Sequence, residues 1–237
     1  MAQRILITGA NRGIGLEMTT QALARGDTVI AACRTPENAA ALDDLAAAHG
    51  EALTIIRMEA REEASVQAAA AIAGPIDLLV ANAGTMNARG GLTDAGHRQD
   101  NIADSLMTNI AGVFFTARHF LANLKDGGAD RDAGIIPRIA VMSSQMGSSE
   151  RAGTSAPIYR ATKAAATNLA RSMALELAED GIAVGAYHPG WVQTDMGGAN
   201  ATIAAGSSAA GLLQRFDALS MATSGVFETY EGEPLPF

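Results

Sequence analysis

Tyr159 and Lys163, in the segment YRATK, bring two scarce residue types together at a spacing that suits proton transfer. The chain has 3 tyrosines and two lysines. Residues four positions apart on a helix lie on one face, so both side chains can point into one cleft. A nearby ammonium stabilises a phenolate and lowers its pKa from the usual value of about 10. The pair therefore predicts a general acid or base, against the simpler interpretation of an incidental pair on a solvated helix.

A glycine-rich turn, TGANRGIG at residues 8 to 15, follows the first apolar run of the chain. Glycines at positions 9, 13 and 15 allow positive φ and a close approach of the backbone to a ligand. The N–H groups and the dipole at the start of the next helix favour negative charge. The turn predicts a site for nucleotide phosphates, although methyltransferases share this feature and so do tight turns that bind nothing.

Short apolar runs alternate along the chain with segments of helical spacing. The predicted strands are RILIT (4–8), TVIAAC (28–33), LTIIRM (53–58), DLLVANAG (77–84), RIAVMSS (138–144) and IAVGAYHPG (182–190). The predicted helices cover residues 14–26, 39–50, 64–74, 102–124 and 161–181. Because right-handed crossovers place such helices on both faces of a mostly parallel sheet, we expect a doubly wound α/β fold.

Four chemically distinctive residues lie at the carboxyl ends of predicted strands or directly after them. They are Gly9, Asn82, Ser144 and Pro189. In open parallel sheets, ligands bind outside the carboxyl ends of the strands. These positions therefore predict one ligand site at that edge of the sheet.

The bulk composition excludes several classes of partner. The formal net charge of −8 argues against nonspecific binding to nucleic acid or to an anionic membrane. No apolar run approaches the ~20 residues of a membrane-spanning helix, and the N-terminus enters a strand pattern without an export signal. The single cysteine, Cys33, cannot form an internal disulfide. We expect a cytoplasmic protein whose partner is a small molecule.

Two other kinds of catalytic site are not supported by the sequence. His188 stands beside Pro189, but no Cys, His or carboxylate cluster has the spacing of metal ligands, so we expect no metal. No Gly-x-Ser-x-Gly segment is present, which argues against a serine hydrolase.

Taken together and in order, the motifs resemble those of the short-chain dehydrogenase/reductase family over nearly the whole chain. The motifs are TGANRGIG, NAG at 82 to 84, Asn109, Ser144, YRATK and HPGWVQTDM at 188 to 196. MSSQMGS and HPGWVQTDMGG are most similar to the carbonyl-reductase-like branch, which includes the sniffer and C-factor proteins. The resemblance implies a single Rossmann domain over residues 1–237 with a mostly parallel seven-stranded sheet.

The resemblance also implies a role for each catalytic residue. Tyr159 would exchange a proton with the substrate oxygen, and Lys163 would lower its pKa and hold the nicotinamide ribose. Ser144, the second serine of its pair, would orient the substrate oxygen. Asn109 would hold a water that links the lysine to solvent.

The cofactor contacts implied by the resemblance are spread over six segments. Glu59 stands where the family usually has an aspartate, which leaves the adenine contact open. Pro189, Gly190, Val192 and Thr194 match the segment that positions the nicotinamide. The full set is Gly9, Asn11, Arg12, Gly13, Ile14, Gly15, Arg34, Glu59, Ala60, Asn82, Ala83, Gly84, Tyr159, Lys163, Pro189, Gly190, Val192 and Thr194.

The residues after the second strand favour NADP over NAD. An acidic residue there would bind the ribose hydroxyls and repel a 2′-phosphate, but this chain has Cys33 and Arg34. Arg34 and Arg12 stand where NADP-preferring relatives carry basic residues, and guanidinium groups suit a phosphate dianion. The alternative is that both arginines are ordinary solvated loop residues.

These features predict an NADP-dependent alcohol dehydrogenase or carbonyl reductase; a non-catalytic NADP-binding sensor is the alternative. Trp191, Met196, Met146 and Met86 would line an apolar substrate pocket or would simply be core. Residues 195–211 are expected to form a mobile flap because they are rich in Gly and Ala. The helices at 102–124 and 160–178 resemble those that pair between subunits in many relatives, which favours a homodimer or tetramer, although the branch includes monomers.

Overall fold

The structure is a computed structural model that describes residues 2–129 and 135–237. Seven strands form one sheet in the order β3-β2-β1-β4-β5-β6-β7, and every neighbouring pair is parallel. The strands are β1 Arg4–Thr8, β2 Thr28–Cys33, β3 Leu53–Arg57, β4 Leu78–Ala81, β5 Arg138–Met142, β6 Ala183–His188 and β7 Phe227–Thr229. The predicted doubly wound, seven-stranded Rossmann fold is confirmed.

Helices cover both faces of this sheet. They are α1 Gly13–Ala24, α2 Ala40–His49, α3 Glu63–Ala73, α4 Gln99–Leu106, α5 Gly112–His119, α6 Leu121–Ala129, α7 Pro157–Glu176 and α8 Ala205–Ala218. Alternation along β1 shows the two layers: Leu6 packs into a core with α3, α5 and α7, whereas Ile5 and Ile7 pack with α1, α2 and α8.

The helix predicted at 102–124 is longer and less regular than its sequence indicated. Helix α4 begins at Gln99, and a π-helical turn at Met107–Ala111 joins it to α5. Phe120 then separates α5 from α6. A π-helical turn inserts an extra residue into the helix and is frequent at functional sites. Here it contains Asn109.

Helix α7 begins four residues before the predicted start at 161. Pro157 occupies the first helical position, where its missing N–H costs nothing. Ala156 precedes it with φ 47, the left-handed conformation that alanine rarely adopts. The helix therefore includes Tyr159 in its first turn.

The flap predicted over 195–211 is wrong in its second half. Residues from Ala205 onward belong to helix α8, whose Leu212, Leu213 and Phe216 are buried against the sheet and α1. Small residues at the start of this helix masked its apolar spacing. Buried leucine and phenylalanine side chains give the helix a core face, which outweighs the low propensity of glycine and serine.

Within the described residues, no helix combines the length and the apolar character that crossing a membrane requires. The same part of the chain contains no group of three or more His, Cys, Asp or Glu side chains placed to hold a metal.

Candidate active site

A cleft of about 350 Å³ opens at the carboxyl ends of β5 and β6. Its lining residues are Ile14, Met86, Arg89, Ser143, Ser144, Gln145, Met146, Ser155, Ala156, Tyr159, His188, Pro189, Gly190, Trp191, Val192, Thr194, Met196 and Gly197. All four residues predicted to form an apolar pocket line this cleft. The structure therefore brings the end of the fifth strand, the YRATK helix and the turn after the sixth strand to one place.

Tyr159 and Ser144 meet at the inner end of the cleft. Burial raises the pKa of the Tyr159 phenol to about 12, although its interaction with the Ser144 hydroxyl acts in the opposite direction. This shift is opposite to the lowering expected from Lys163. A buried phenol keeps its proton at neutral pH, because low polarity disfavours the phenolate.

Ser143 and Ser144 have different surroundings. The Ser143 hydroxyl is buried and donates to the Lys163 carbonyl oxygen at 3.1 Å, and it also bonds to the Thr167 hydroxyl. The Ser144 hydroxyl accepts from the Met146 N–H at 3.1 Å and lies beside Tyr159. Ser143 thus fastens β5 to α7, and Ser144 is the serine placed beside the phenol.

Lys163 is buried beneath the cleft, on the same face of α7 as Tyr159. Its ammonium donates to the Met142 carbonyl oxygen at 2.7 Å and lies 5.7 Å from the centroid of the Tyr159 ring. Burial lowers its pKa to about 8. An ammonium has three donors, so the contact with Met142 leaves donors for a ligand.

Asn109 is fully buried in the π-helical turn and connects two segments. Its Oδ1 accepts from the Thr85 N–H at 2.8 Å, and its Nδ2 donates to the Thr85 carbonyl oxygen and to the Thr162 hydroxyl. Both amide hydrogens are therefore occupied. A water at this side chain would have to donate to Oδ1.

The glycine turn has the shape of a phosphate cradle. Gly9 and Gly13 have φ values of 66 and 53, which side chains other than glycine rarely adopt. A Cβ on Gly15 would lie 2.3 Å from the Gly9 carbonyl oxygen. The turn therefore requires glycine at all three positions, and Asn11, Arg12 and Ile14 occupy the positions between them.

The segment after β4 packs against this turn. The Asn82 side-chain amide donates to the Thr8 carbonyl oxygen at 2.8 Å, which joins β4 to the glycine turn. A Cβ on Gly84 would lie 3.3 Å from Asn109 Oδ1 and 3.4 Å from Lys163 Nζ. Ala83 lies between Asn82 and Gly84. Residues 82–84 therefore connect the predicted phosphate site to Lys163.

The two arginines predicted to bind a 2′-phosphate each face a carboxylate. Arg12 pairs with Asp195 at 3.0 Å, and both side chains are exposed. Arg34 lies 3.8 Å from Glu59, which also faces Arg61 at 3.7 Å. Glu59 thus neutralises arginines in this structure, and its neighbour Ala60 is buried.

The turn after β6 forms the outer wall of the cleft. Gly190 has φ 86, and a Cβ there would lie 2.3 Å from the Ile203 side chain. The Thr194 hydroxyl accepts from the Gly197 N–H at 3.1 Å. Pro189 and Val192 also line the cleft.

Sequence reasoning missed several lining residues, above all Arg89, Gln145 and Ser155. Arg89 lies in the irregular segment between β4 and α4, where no periodicity or family motif indicates a position near Tyr159. The only signal was its positive charge in an acidic chain. His188 also lines the cleft; burial lowers its pKa to about 4, so it is neutral at neutral pH.

Comparisons with known proteins identify the family. A family model described as short chain dehydrogenase matches residues 3–203. C-signal from Myxococcus xanthus is 34% identical over 69% of this chain and 94% of that protein. NADPH-dependent pterin aldehyde reductase from Arabidopsis thaliana is 33% identical over 82% of this chain and 77% of that protein.

Solved structures resemble the whole chain. The NADPH-bound carbonyl reductase from chicken fatty liver has a TM-score of 0.90 at 32% identity, covering 100% of this chain and 99% of that one. Carbonyl reductase Sniffer of D. melanogaster has a TM-score of 0.90 at 29% identity, covering 100% of both chains. The fold, the order of the motifs and the family match agree: this chain belongs to the short-chain dehydrogenase family.

Proposed function

We propose that this chain is a single-domain, NADP-dependent oxidoreductase that interconverts a carbonyl compound and its alcohol. The observation that carries the proposal is the position of Tyr159 beside Ser144 at the inner end of a cleft, one helical turn from Lys163. A positioned phenol that keeps its proton at neutral pH is suited to protonating a carbonyl oxygen.

The residues present fit a dinucleotide. The glycine turn requires three glycines, opens a helix and has no space for a Cβ at Gly15. Arg12, within the turn, and Arg34, directly after β2, supply guanidinium groups, and their carboxylate contacts are exposed or long. NADPH-bound and NADP-bound carbonyl reductases are among the similar structures. When bound, NADPH supplies the hydride.

The chain's own residues would supply orientation and the proton. Ser144 donates a hydrogen bond to the substrate oxygen, and Tyr159 donates the proton that the oxygen needs when carbon is reduced. Lys163 keeps a positive charge beneath the phenol and offers its remaining donors to ribose hydroxyls. Asn109 connects Thr85 to Thr162, and its Oδ1 would accept a hydrogen bond from the proposed water.

The cleft indicates the size and polarity of the substrate. A volume of about 350 Å³ suits a small or medium molecule, and Trp191 with three methionines makes the outer part of the cleft apolar.

We also propose that the chain forms a homo-oligomer through the α4–α5 helix, which exposes Leu106, Met107 and Phe114. Sedimentation would measure the oligomeric state.

The proposal is tested by following NADPH consumption with purified protein and a panel of aldehydes, ketones and quinones. We expect turnover in the wild type, and in Tyr159→Phe a loss of ~10²–10⁴-fold, the usual contribution of acid-base catalysis. NADPH binding, measured by calorimetry, should be the same in both proteins. Turnover by Tyr159→Phe at the wild-type rate would contradict the role of the phenol.

A second candidate is a signalling protein that binds NADP without turnover. The similarity to C-signal, which covers 94% of that protein, favours it. Tight NADPH binding with no consumption across the whole panel would support this candidate and exclude the reductase.

A further inference from the structure

One charged side chain lines the cleft, and its charge is positive. Among the lining residues, only Arg89 carries a formal charge at neutral pH, because burial lowers the pKa of His188 to about 4. The whole chain has a net charge of −8. An acidic protein repels anions at long range, so a positive group inside its cleft marks local recognition of an anion.

The Arg89 guanidinium has no carboxylate partner in residues 2–129 and 135–237. Its guanidinium forms a hydrogen bond there of 3.3 Å from Nη2 to the Asp195 carbonyl oxygen. Eight arginines of the described chain do pair with carboxylates. They are Arg4, Arg12, Arg25, Arg34, Arg57, Arg61, Arg118 and Arg215. Most of the donors of Arg89 are therefore free for a ligand.

Arg151 adds a second positive charge near the cleft. Its Nη1 donates to the Gln145 side-chain oxygen at 2.6 Å, and Gln145 lines the cleft. Arg151 is also close enough to lower the pKa of His188. Neither Arg151 nor Arg89 forms an ion pair with a carboxylate within the described residues, so both add positive charge near the cleft.

The loop that carries Arg151 is held in place by Arg160. This guanidinium donates to the Ser155 carbonyl oxygen at 2.9 Å and to the Arg151 carbonyl oxygen at 2.9 Å. A Cβ on Gly153 would lie 2.2 Å from it, so glycine is needed for this contact. Arg160 therefore orders the loop and uses its donors in doing so.

The backbone also fixes Arg89 relative to Tyr159. The Ala156 N–H donates to the Arg89 carbonyl oxygen at 3.1 Å and to the Gly90 carbonyl oxygen at 2.8 Å. Ala156 is the residue before α7, whose first turn contains Tyr159. The anion site and the proton donor are thus held together by main-chain bonds.

We propose that Arg89, assisted by Arg151, binds a carboxylate at the end of the substrate remote from its carbonyl group. The inference rests on the proposed function and narrows its substrate class to oxo acids with an apolar middle. Trp191 and Met196 contact the middle, and the guanidinium forms charge-assisted hydrogen bonds with the carboxylate. Arg12 and Arg34 remain for the phosphates of the cofactor.

The test compares two aldehydes that differ in charge, 4-formylbenzoate and its neutral methyl ester. We expect the wild type to show kcat/KM about tenfold higher for the carboxylate, the size of one charge-assisted hydrogen bond. In Arg89→Gln this preference should disappear, while kcat/KM for the ester should change less than about threefold. Arg98→Gln, an exposed arginine of the same segment outside the cleft, should behave as the wild type.

A second measurement does not depend on turnover. The only tryptophan, Trp191, lines the cleft, so its fluorescence reports binding there. The wild type should bind hexanoate more tightly than neutral hexanamide. Arg89→Gln should bind the two compounds with equal affinity. This result without reduction of either aldehyde would support the anion site and contradict the reductase.

Three results would overturn the anion site. The first is equal kcat/KM for the two aldehydes in the wild type, and the second is equal binding of hexanoate and hexanamide. The third is an Arg89→Gln variant in which both aldehydes lose activity equally and the KM for NADPH rises, because Arg89 would then serve the cofactor.

Discussion

The inner end of the cleft and its outer wall are built differently. Ser144, two residues beyond the end of the central strand β5, and Lys163, on the longest helix, are buried at the inner end, and each hydrogen-bonds to the main chain. Trp191 and Arg89 lie on connecting segments and are exposed. Rigid elements hold groups at a fixed geometry, whereas loops tolerate substitution. From this difference we expect the inner end to determine the rate of the proposed reaction and the wall to determine the choice of substrate.

The comparison predicts that substitution of Lys163 has the largest effect on kcat. Lys163→Met should lower kcat by about 10³-fold, because a preorganised charge near reacting groups is removed. Its free energy of unfolding at neutral pH should rise by about 1–3 kcal/mol, since burial disfavours the ammonium. Lys125→Met is the matched control, because Lys125 forms an exposed pair with Asp180. NADPH consumption measures the effect on kcat, and denaturant unfolding measures the effect on stability. A Lys163→Met variant less stable than the wild type would contradict the claim that the buried ammonium destabilises the fold.

The next effect distinguishes two neighbouring serines. Ser144→Ala should lower kcat by about 10²-fold, because one hydrogen bond to the developing charge is lost. Ser143→Ala should leave kcat within about threefold and instead destabilise the fold by ~1 kcal/mol, since its hydroxyl bonds to α7. Steady-state kinetics of the two variants would contradict the comparison if kcat fell further in Ser143→Ala than in Ser144→Ala.

A smaller effect concerns the pH dependence of stability. Burial in the folded protein lowers the pKa of Lys163 from its ordinary value of 10.5 to about 8. Between these pH values the unfolded chain holds the proton and the folded chain does not, so wild-type stability rises with pH. The stability advantage of Lys163→Met should therefore shrink from pH 7 to pH 10. An advantage that stays constant in urea titrations across this range would be inconsistent with a buried ammonium.

The smallest effect is expected on the wall. Trp191→Ala should raise the KM for apolar aldehydes by about three- to tenfold with little change in kcat, because the half-exposed ring binds substrate and transition state alike. Gln193→Ala, on the same segment but outside the cleft lining, should have no effect. A drop in kcat as large as that of Ser144→Ala would show that wall and inner end are not separable.

The sequence predicted most of the sheet because its strands carry strong local signals. Strands β1 to β6 are short, buried and apolar, and each precedes a turn residue. Strand β7 was not located, since Phe227–Thr229 has only 3 residues and pairs with β6 from far along the chain. Helix α8 was missed because its Gly-Ser-Ser start resembles a loop, and only the buried face reveals it.

The site was predictable where residues occur in ordered motifs, and the structure brings Ser144, Tyr159 and Lys163 together. Properties that depend on burial and on contacts between distant segments were not predictable from the sequence. The pKa of Tyr159 rises rather than falls because burial outweighs the interaction with the Ser144 hydroxyl, which the spacing of YRATK does not show. Arg89 reaches the cleft through a main-chain contact with Ala156, between segments far apart in sequence. Their roles stay predictions until the variants are measured.

The left-handed backbone at Ala156 affects how substrate specificity could change among related proteins. Its N–H holds the carbonyl groups of Arg89 and Gly90 at the start of the helix that carries Tyr159. A side chain at position 89 can be exchanged without moving the phenol, because the main chain there is fixed. Insertions next to this contact would shift the helix start and disturb catalysis. New specificities should therefore arise by substitution at position 89, while loop length there is preserved.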